Sequence, residues 1–237
     1  STGWFGLEEL ASPGVPSWEH SYETTWDPSQ DGVEGLSIRW AVGPVSVMPG
    51  EGPLITVTEY ASRPLEEGER LALSSSGGVL EVGWNGSLLP LGALQDLEKR
   101  VEVKVPPELL SQLEELSCWN ISGEVSVSGA FAQELSLSSL SGDLLLSGVS
   151  GGQVQASTVS GDIQWAQGQA EELSVKSTSG AVQLVGMNVQ ECRLKTVTGP
   201  LAYQGAGSKF FGESVTGSLR AQLTACPAEG ELGSVQG

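Results

Sequence analysis

Three acidic residues occupy the same position of a repeated motif, and carboxylates at such spacing can bind a cation. Glu124, Asp143 and Asp162 each follow a Ser-Gly pair, and they are equally spaced along the sequence. If successive repeats stack about 5 Å apart, these carboxylates repel one another, and a cation with oxygen ligands, such as calcium, relieves that repulsion. Alternatively, the side chains extend into water at a turn, where acidic residues are common. An unchanged melting temperature in chelator would rule out a calcium-stabilised binding module.

Aromatic residues concentrate near the N-terminus, where they could stack on sugar rings or contact a protein partner. Trp4, Trp18 and Trp26 lie among prolines in a segment without regular periodicity. Aromatic side chains on an irregular surface segment suit either kind of partner. The same segment could instead cover the open end of a stacked β structure. We therefore name these three tryptophans as candidate binding residues, and the cap as the alternative.

The sequence offers few residues for catalysis. His20 is its one histidine, and Cys118, Cys192 and Cys226 are widely spaced. This set argues against most zinc sites and against a triad that needs a histidine beside its nucleophile. We predict no catalytic residues and no cofactor. The numerous acidic residues leave a polysaccharide hydrolase or lyase on a β-helix as the alternative.

The charge balance restricts the partners. The 237 residues include 11 Lys and Arg against 29 Asp and Glu, which gives a formal net charge of −18. Nucleic acids and anionic membranes require clustered cations, so neither is a predicted partner. No apolar run approaches the roughly 20 residues of a membrane span, and residues 1–30 lack a signal-peptide pattern. Because the sequence begins without Met, we expect that an upstream membrane anchor could lie outside it.

A repeat of about 19 residues dominates the second half of the chain. Each repeat centres on a glycine preceded by Ser or Thr, namely Gly123, Gly142, Gly161, Gly180, Gly199 and Gly217. Apolar residues recur seven, five and two positions before this glycine, and two and four positions after it. The alternation with period two indicates strands, and the unit is too short to hold a strand and a helix comfortably. We therefore predict an all-β fold, a parallel β-solenoid with the apolar columns inside; an antiparallel meander or a β-prism is the alternative.

Weaker copies of the pattern surround Gly43 and Gly78, so the N-terminal half is predicted to be the same sheet with longer loops. The expected organisation is an irregular Trp-rich segment over residues 1–35, less regular β coils over 36–107, regular repeats over 108–223 and a tail over 224–237.

Ser and Thr also recur three and one positions before the repeat glycine. Such hydroxyl columns could face a glycan, although small hydroxylated residues also cap backbone groups at corners.

The column assignment predicts the effect of charged substitutions. Asp in place of Val159 or Ile163 should leave an unpaired charge between two coils and cost several kcal/mol. Lys in place of Gln164 should be nearly neutral, because that side chain is expected to point outward.

The repeated Ser-Gly-Asp-aliphatic corner resembles the bacterial putative-adhesin family of β-strand-repeat envelope proteins, a domain of unknown function. The order of features agrees: Ala41-Val42-Gly43-Pro44-Val45 comes first, Val101-Glu102-Val103-Lys104-Val105-Pro106 follows, and the Ser-Gly array comes last. The resemblance covers roughly residues 36–223. It implies a β-solenoid, often tethered in relatives through an N-terminal membrane segment, and it implies no settled activity and no catalytic residues.

These observations lead to one main functional hypothesis. The protein is expected to be a non-enzymatic, extracellular or cell-envelope β-repeat protein that acts in adhesion, scaffolding or envelope-stress sensing. Its expected partner is an envelope polysaccharide or another protein. A polysaccharide-active enzyme and a calcium-stabilised module are the rival hypotheses.

Overall fold

The computed structural model describes residues 18–85, 97–224 and 229–234. The strands are β1 His20–Trp26, β2 Gly35–Val42, β3 Val45–Pro49, β4 Ile55–Ala61, β5 Ala72–Ser76, β6 Val79–Gly83, β7 Lys99–Val105, β8 Leu113–Ser122, β9 Val125–Ser128, β10 Phe131–Ser139, β11 Leu144–Ser147, β12 Ser150–Thr158, β13 Ile163–Ser177, β14 Val182–Thr196, β15 Leu201–Ser214, β16 Leu219–Leu223 and β17 Glu229–Ser234. Helical structure in these residues is limited to the single turns α1 Pro28–Asp31 and α2 Pro107–Leu110 and to a 3-10 turn, Glu67–Glu69.

Each regular coil contributes one strand to each of two faces. Face A holds the strands that precede the corner glycine: β8, β10, β12 and the second halves of β13, β14 and β15. Face B holds the strands that follow it: β9, β11, β16 and the first halves of β13, β14 and β15. Neighbouring coils pair in parallel, each residue with its counterpart one repeat away, as in Leu135 opposite Val154 and Ile163 opposite Val182. The predicted parallel β-solenoid is confirmed.

The N-terminal coils do not stack in chain order. Strand β2 pairs with β8 on one side and with β6 on the other, so β6, although it comes later in the chain than β2, lies outside it. Leu80 lies opposite Leu36 and Val82 lies opposite Ile38. The predicted alignment on Gly78 is therefore wrong, because this glycine lies in the turn of the antiparallel hairpin formed by β5 and β6.

Antiparallel strands complete this end of the stack. Strand β4 pairs with β7, and β1 pairs with β4 over its whole length. Residues 20–31, expected to be part of an irregular segment, thus include a strand and a helical turn. At the other end, residues 229–234 of the expected tail form β17, which pairs in parallel with β15.

The core consists of the columns that alternate inward on both faces. Ile163 and Val175 are fully buried, as are most residues of the predicted inner columns. The column two positions before the glycine is the exception, because Leu140 is 50% exposed and Val159 is 45% exposed. The prediction of a charge buried at position 159 is therefore wrong. The inward positions seven and five residues before the glycine are followed by a third, three residues before it, because the strand alternation continues. This third inward residue is polar, as Thr158 is.

These buried polar residues satisfy the backbone of the corners. The Gly161 N–H donates to Thr158 Oγ1 at 2.9 Å, and Ser139, Ser177 and Ser214 accept from the glycine of their own corner in the same way. One position before the glycine, exposed hydroxyls donate to the preceding coil, as from Ser179 Oγ to the Val159 carbonyl oxygen at 3.3 Å. Glycine is required because a Cβ at Gly161 would overlap the carbonyl oxygen of Gly142. The hydroxyl columns therefore cap the corners.

Candidate binding face

The outer surface of face A presents two columns of side chains, which we call the outer columns. They lie six and four positions before the corner glycine, between the buried columns, and the register places corresponding residues of successive coils side by side. The first column is Ser117, Ser136, Gln155, Ser174, Arg193 and Phe211; the second is Trp119, Ser138, Ser157, Lys176, Lys195 and Glu213. At about 4.8 Å per coil, six coils give a surface about 24 Å long.

A tryptophan stands at the start of this surface and a row of small polar side chains follows it. Trp119 is 45% exposed, which is unusual for so large an apolar side chain. The adjoining positions on the next two coils hold Ser136, Ser138, Gln155 and Ser157. An aromatic ring beside a flat hydroxyl-bearing surface can stack on a sugar ring and hydrogen-bond to its hydroxyl groups.

The outer columns change character on the last three coils, where a groove of about 560 Å³ lies over them. Six side chains of these columns line it, from Ser174 and Lys176 to Phe211 and Glu213. The Arg193 guanidinium lies over the Phe211 ring, 4.6 Å from its centroid. Its Nη2 is also 3.1 Å from Glu191 Oε1, while Lys195 Nζ is 4.0 Å from Glu213 Oε2. Both ion pairs are exposed and therefore weak.

The acidic column lies at the corners. Asp143 Oδ1 accepts from the Asp162 N–H at 2.8 Å, and Asp162 Oδ1 accepts from the Ala181 N–H at the same distance. The next residue in the column is Pro200, which has no N–H, so no acceptor side chain is needed at position 181. Glu124 occupies the coil before Asp143. Within the described part of the chain, no group of three or more His, Cys, Asp or Glu is arranged to hold a metal ion. A calcium site at these three residues stays a prediction.

The candidate tryptophans of the N-terminal segment lie in different surroundings. Trp26 ends β1 and packs, half-buried, against the core, with its Nε1 buried and unpaired. Trp18 is also half-buried, just before β1. Trp4 lies outside the described residues. Their role in binding stays a prediction.

A buried ion pair lies at the N-terminal end of the stack. Lys99 Nζ and Glu59 Oε1 are 2.7 Å apart, and both side chains are almost completely buried. The ammonium also donates to the carbonyl oxygens of Glu69 and Asn85 and lies 4.3 Å from the Trp84 ring centroid. Loss of hydration lowers the pKa of Lys99, and the contact with Glu59 opposes that change. These contacts join β4, β7 and two loops, which is a structural role.

The described thiols are unsuited to nucleophilic chemistry. Cys118 and Cys192 are buried and unpaired, and they lie in the interior columns as the sequence predicts. Burial raises the pKa of Cys118 to about 12 and raises that of Cys192 as well. A neutral thiol is a poor nucleophile, so both behave as small apolar residues. Cys226 lies outside the described residues.

The sequence analysis missed Trp119, Arg193 and Phe211. One signal was available: Lys176 and Lys195 share an offset from the repeat glycine, which indicates that they stack. The other residues of the outer columns are mostly serines, whose offset alone does not separate a binding surface from a solvated one.

Comparisons with known proteins give a family and a fold. A family model described as Toastrack DUF4097 matches residues 36–224. No curated protein is similar enough in sequence to match the chain. The solved structure of a putative lipid binding protein from Parabacteroides distasonis covers 94% of this chain and 97% of its own, with a TM-score of 0.55 and 11% identity, so the two share a fold.

Two further solved structures are similar at lower TM-scores. A putative cell adhesion protein from Clostridium sporogenes has 10% identity and a TM-score of 0.37, over 91% of this chain and 96% of its own. A putative adhesin from Bacteroides fragilis has 12% identity and a TM-score of 0.41, over 93% of this chain and 98% of its own. None of the helices in the described residues has the length and apolar character needed to cross a membrane.

Proposed function

Because the chain belongs to the Toastrack DUF4097 family, whose model spans its solenoid, we propose that it is a non-enzymatic β-solenoid that binds an envelope polysaccharide along face A. Its role would be adhesion or scaffolding outside the cell membrane. An extended, rigid face suits a polymer better than a small substrate, because each coil repeats the same spacing and offers another contact.

The main support for this proposal is the exposed ring of Trp119. It is 45% exposed on a regular strand, although the neighbouring inward positions bury Leu116 and Cys118 almost completely. A sugar ring stacked on the indole would bury apolar area, and the serines of the next coils would meet the sugar hydroxyl groups. The acidic net charge favours a ligand that is largely neutral.

Retention on insoluble envelope polysaccharide tests the proposal. We expect the full chain to be retained without release of reducing ends, and Trp119→Ala to weaken retention by about tenfold, or about 1.4 kcal/mol. Leu140→Ala is the matched control, because it removes an equally exposed apolar side chain at a corner away from the outer columns. Equal retention of wild type and Trp119→Ala would exclude Trp119 as the contact with the polysaccharide and contradict the proposal.

Other outcomes of the same assay separate the rival hypotheses. Release of reducing ends would show an enzyme and contradict the proposal. Loss of retention in Trp4→Ala or Trp18→Ala, with Trp119→Ala unaffected, would move the site to the N-terminal segment. Retention that requires calcium and is lost in Asp143→Asn and Asp162→Asn would favour the calcium-dependent module at Glu124, Asp143 and Asp162.

A further inference from the structure

We propose that the groove over the last three coils of face A is a subsite for an acidic sugar unit, one that carries a single carboxylate or phosphate group. This inference rests on the proposed function, because it names a chemical group of the polymer that the same face would bind.

Three of the five Lys and Arg residues of the regular coils line this groove. Residues 106–175 contain no Lys or Arg and nine Asp or Glu, whereas residues 176–234, which include β17, contain five Lys or Arg and four Asp or Glu. The local excess of positive charge therefore appears where the outer columns become basic. In a chain with a net charge of −18, such a concentration needs a local explanation.

The register places three cations and one aromatic ring on three successive strands. Lys176 lies opposite Lys195, and Arg193 lies opposite Phe211, on strands about 4.8 Å apart. Lys176 makes no ion pair with any described residue, and it is exposed. Its ammonium and the neighbouring Lys195 ammonium can contact the same oxyanion. The guanidinium covers one face of the Phe211 ring, so a sugar ring would pack against the guanidinium and the uncovered part of the phenyl ring.

The charges in and around the groove favour a ligand with one anionic group over a polyanion. Glu213 and Glu191 neutralise part of the positive charge of Lys195 and Arg193, and the register places a third acidic residue, Glu231 of β17, opposite Phe211, so the positive excess of the groove is at most one unit and centres on Lys176. The nine acidic residues of the preceding coils would repel a polyanion that continued along the face. A mostly neutral polymer with an isolated acidic sugar meets both conditions. The groove volume of about 560 Å³ lies within the range of small-ligand sites.

A second copy of this chain is the competing occupant, because its acidic coils complement the groove. The groove of about 560 Å³ has the size of a small-ligand site and not that of an extended protein contact, so we favour the sugar. Self-association is nevertheless an outcome that the experiment must detect.

The experiment is an NMR titration of the full chain with matched sugars. Methyl β-glucuronide and methyl β-glucoside differ mainly by the carboxylate, and glucose 6-phosphate tests phosphate as the oxyanion. We expect the glucuronide to bind about tenfold more tightly than the glucoside, and Arg193→Gln with Lys195→Gln to remove that preference. Phe211→Leu should weaken both sugars, because stacking does not depend on charge. Tighter binding of glucose 6-phosphate than of the glucuronide would identify phosphate as the group.

Arg220→Gln is the control, because it removes one charge from the adjoining coil outside the groove. Equal affinity for glucuronide and glucoside would overturn the inference, and so would an equal loss in Arg220→Gln. A doubled mass by light scattering that Arg193→Gln abolishes would assign the groove to a second copy and also overturn it. Retention on neutral polysaccharide that depends on Trp119 would survive each of these results, so the failure of the subsite and the failure of the proposed function are distinguishable.

Discussion

Single side chains fix the corners and loops of this molecule through bonds to the backbone. Glu69 holds the 3-10 turn in this way: its carboxylate accepts from Arg63 at 2.8 and 2.6 Å and from the Glu66 N–H at 3.1 Å. The backbone carbonyl of the same residue accepts from Lys99. The Arg63 guanidinium is the main cause that lowers the pKa of Glu69 to about 2. One loop residue thus connects a surface ion pair to the buried one.

The lowered pKa predicts a loss of stability in acid. A carboxyl group whose pKa is lower in the folded state stabilises the fold above pH 4.5, and that contribution is lost as the pH falls toward 2. Arg63 is 43% exposed, so we expect the contribution to be no more than about 1 kcal/mol. Urea unfolding at pH 5 and pH 2.5 should give a smaller acid-induced loss for Glu69→Gln than for the wild type. Identical pH profiles would contradict the assignment.

At the scale of strands, the sequence correctly predicts which residues are buried in most of each coil, but this prediction is wrong at the corner. Positions that alternate with period two, such as Leu135 with Leu137 and Leu144 with Leu146, identify the buried columns correctly. The failure arises because Thr158 is buried to bond a glycine N–H, whereas Val159 is exposed. Polarity therefore reverses where the backbone needs a side-chain partner, and hydrophobicity alone misassigns the corner. Trp119 lies at an outward position of the regular alternation, but it was missed because a large apolar side chain is ordinarily expected inside.

A pair of substitutions tests this reversal within one coil. Ile163 is completely buried, so Ile163→Asp places an uncompensated charge in the core, and we expect a loss of several kcal/mol in the free energy of unfolding. Val159→Asp introduces the same group four residues earlier at a 45% exposed position, and its effect should stay within about 0.5 kcal/mol. Urea denaturation measures both. Comparable damage from the two would mean that the column two positions before the glycine is buried after all.

At the scale of the whole molecule, the stacking order of the first coils could not be predicted from the sequence. The regular spacing of the repeat fixes which coil follows which from Gly123 onward, because each connection is short. Before that point the coils are separated by the long segments around β4 and β5. The sequence then does not distinguish whether β2 pairs with the next strand along the chain or with a more distant one. Strand β6 pairs with the outer edge of β2, and at the same end of the stack β4 and β1 extend the sheet from β7.

The buried Lys99 pair should hold this end of the stack to the regular coils. In a stack whose coils contact mainly their neighbours, a local defect opens the nearest end and leaves distant coils folded. Lys99→Met leaves the Glu59 carboxylate buried without its partner, at an expected cost of about 3–5 kcal/mol. We expect amide hydrogen exchange to accelerate in β1, β4 and β7, while β14 stays protected. Lys104→Met is the control on the same strand, because that side chain is 48% exposed and its ion pair is weak. Uniform acceleration along all coils would show instead that the solenoid unfolds as a single unit, and unchanged exchange in β4 would show that the ion pair does not hold this end.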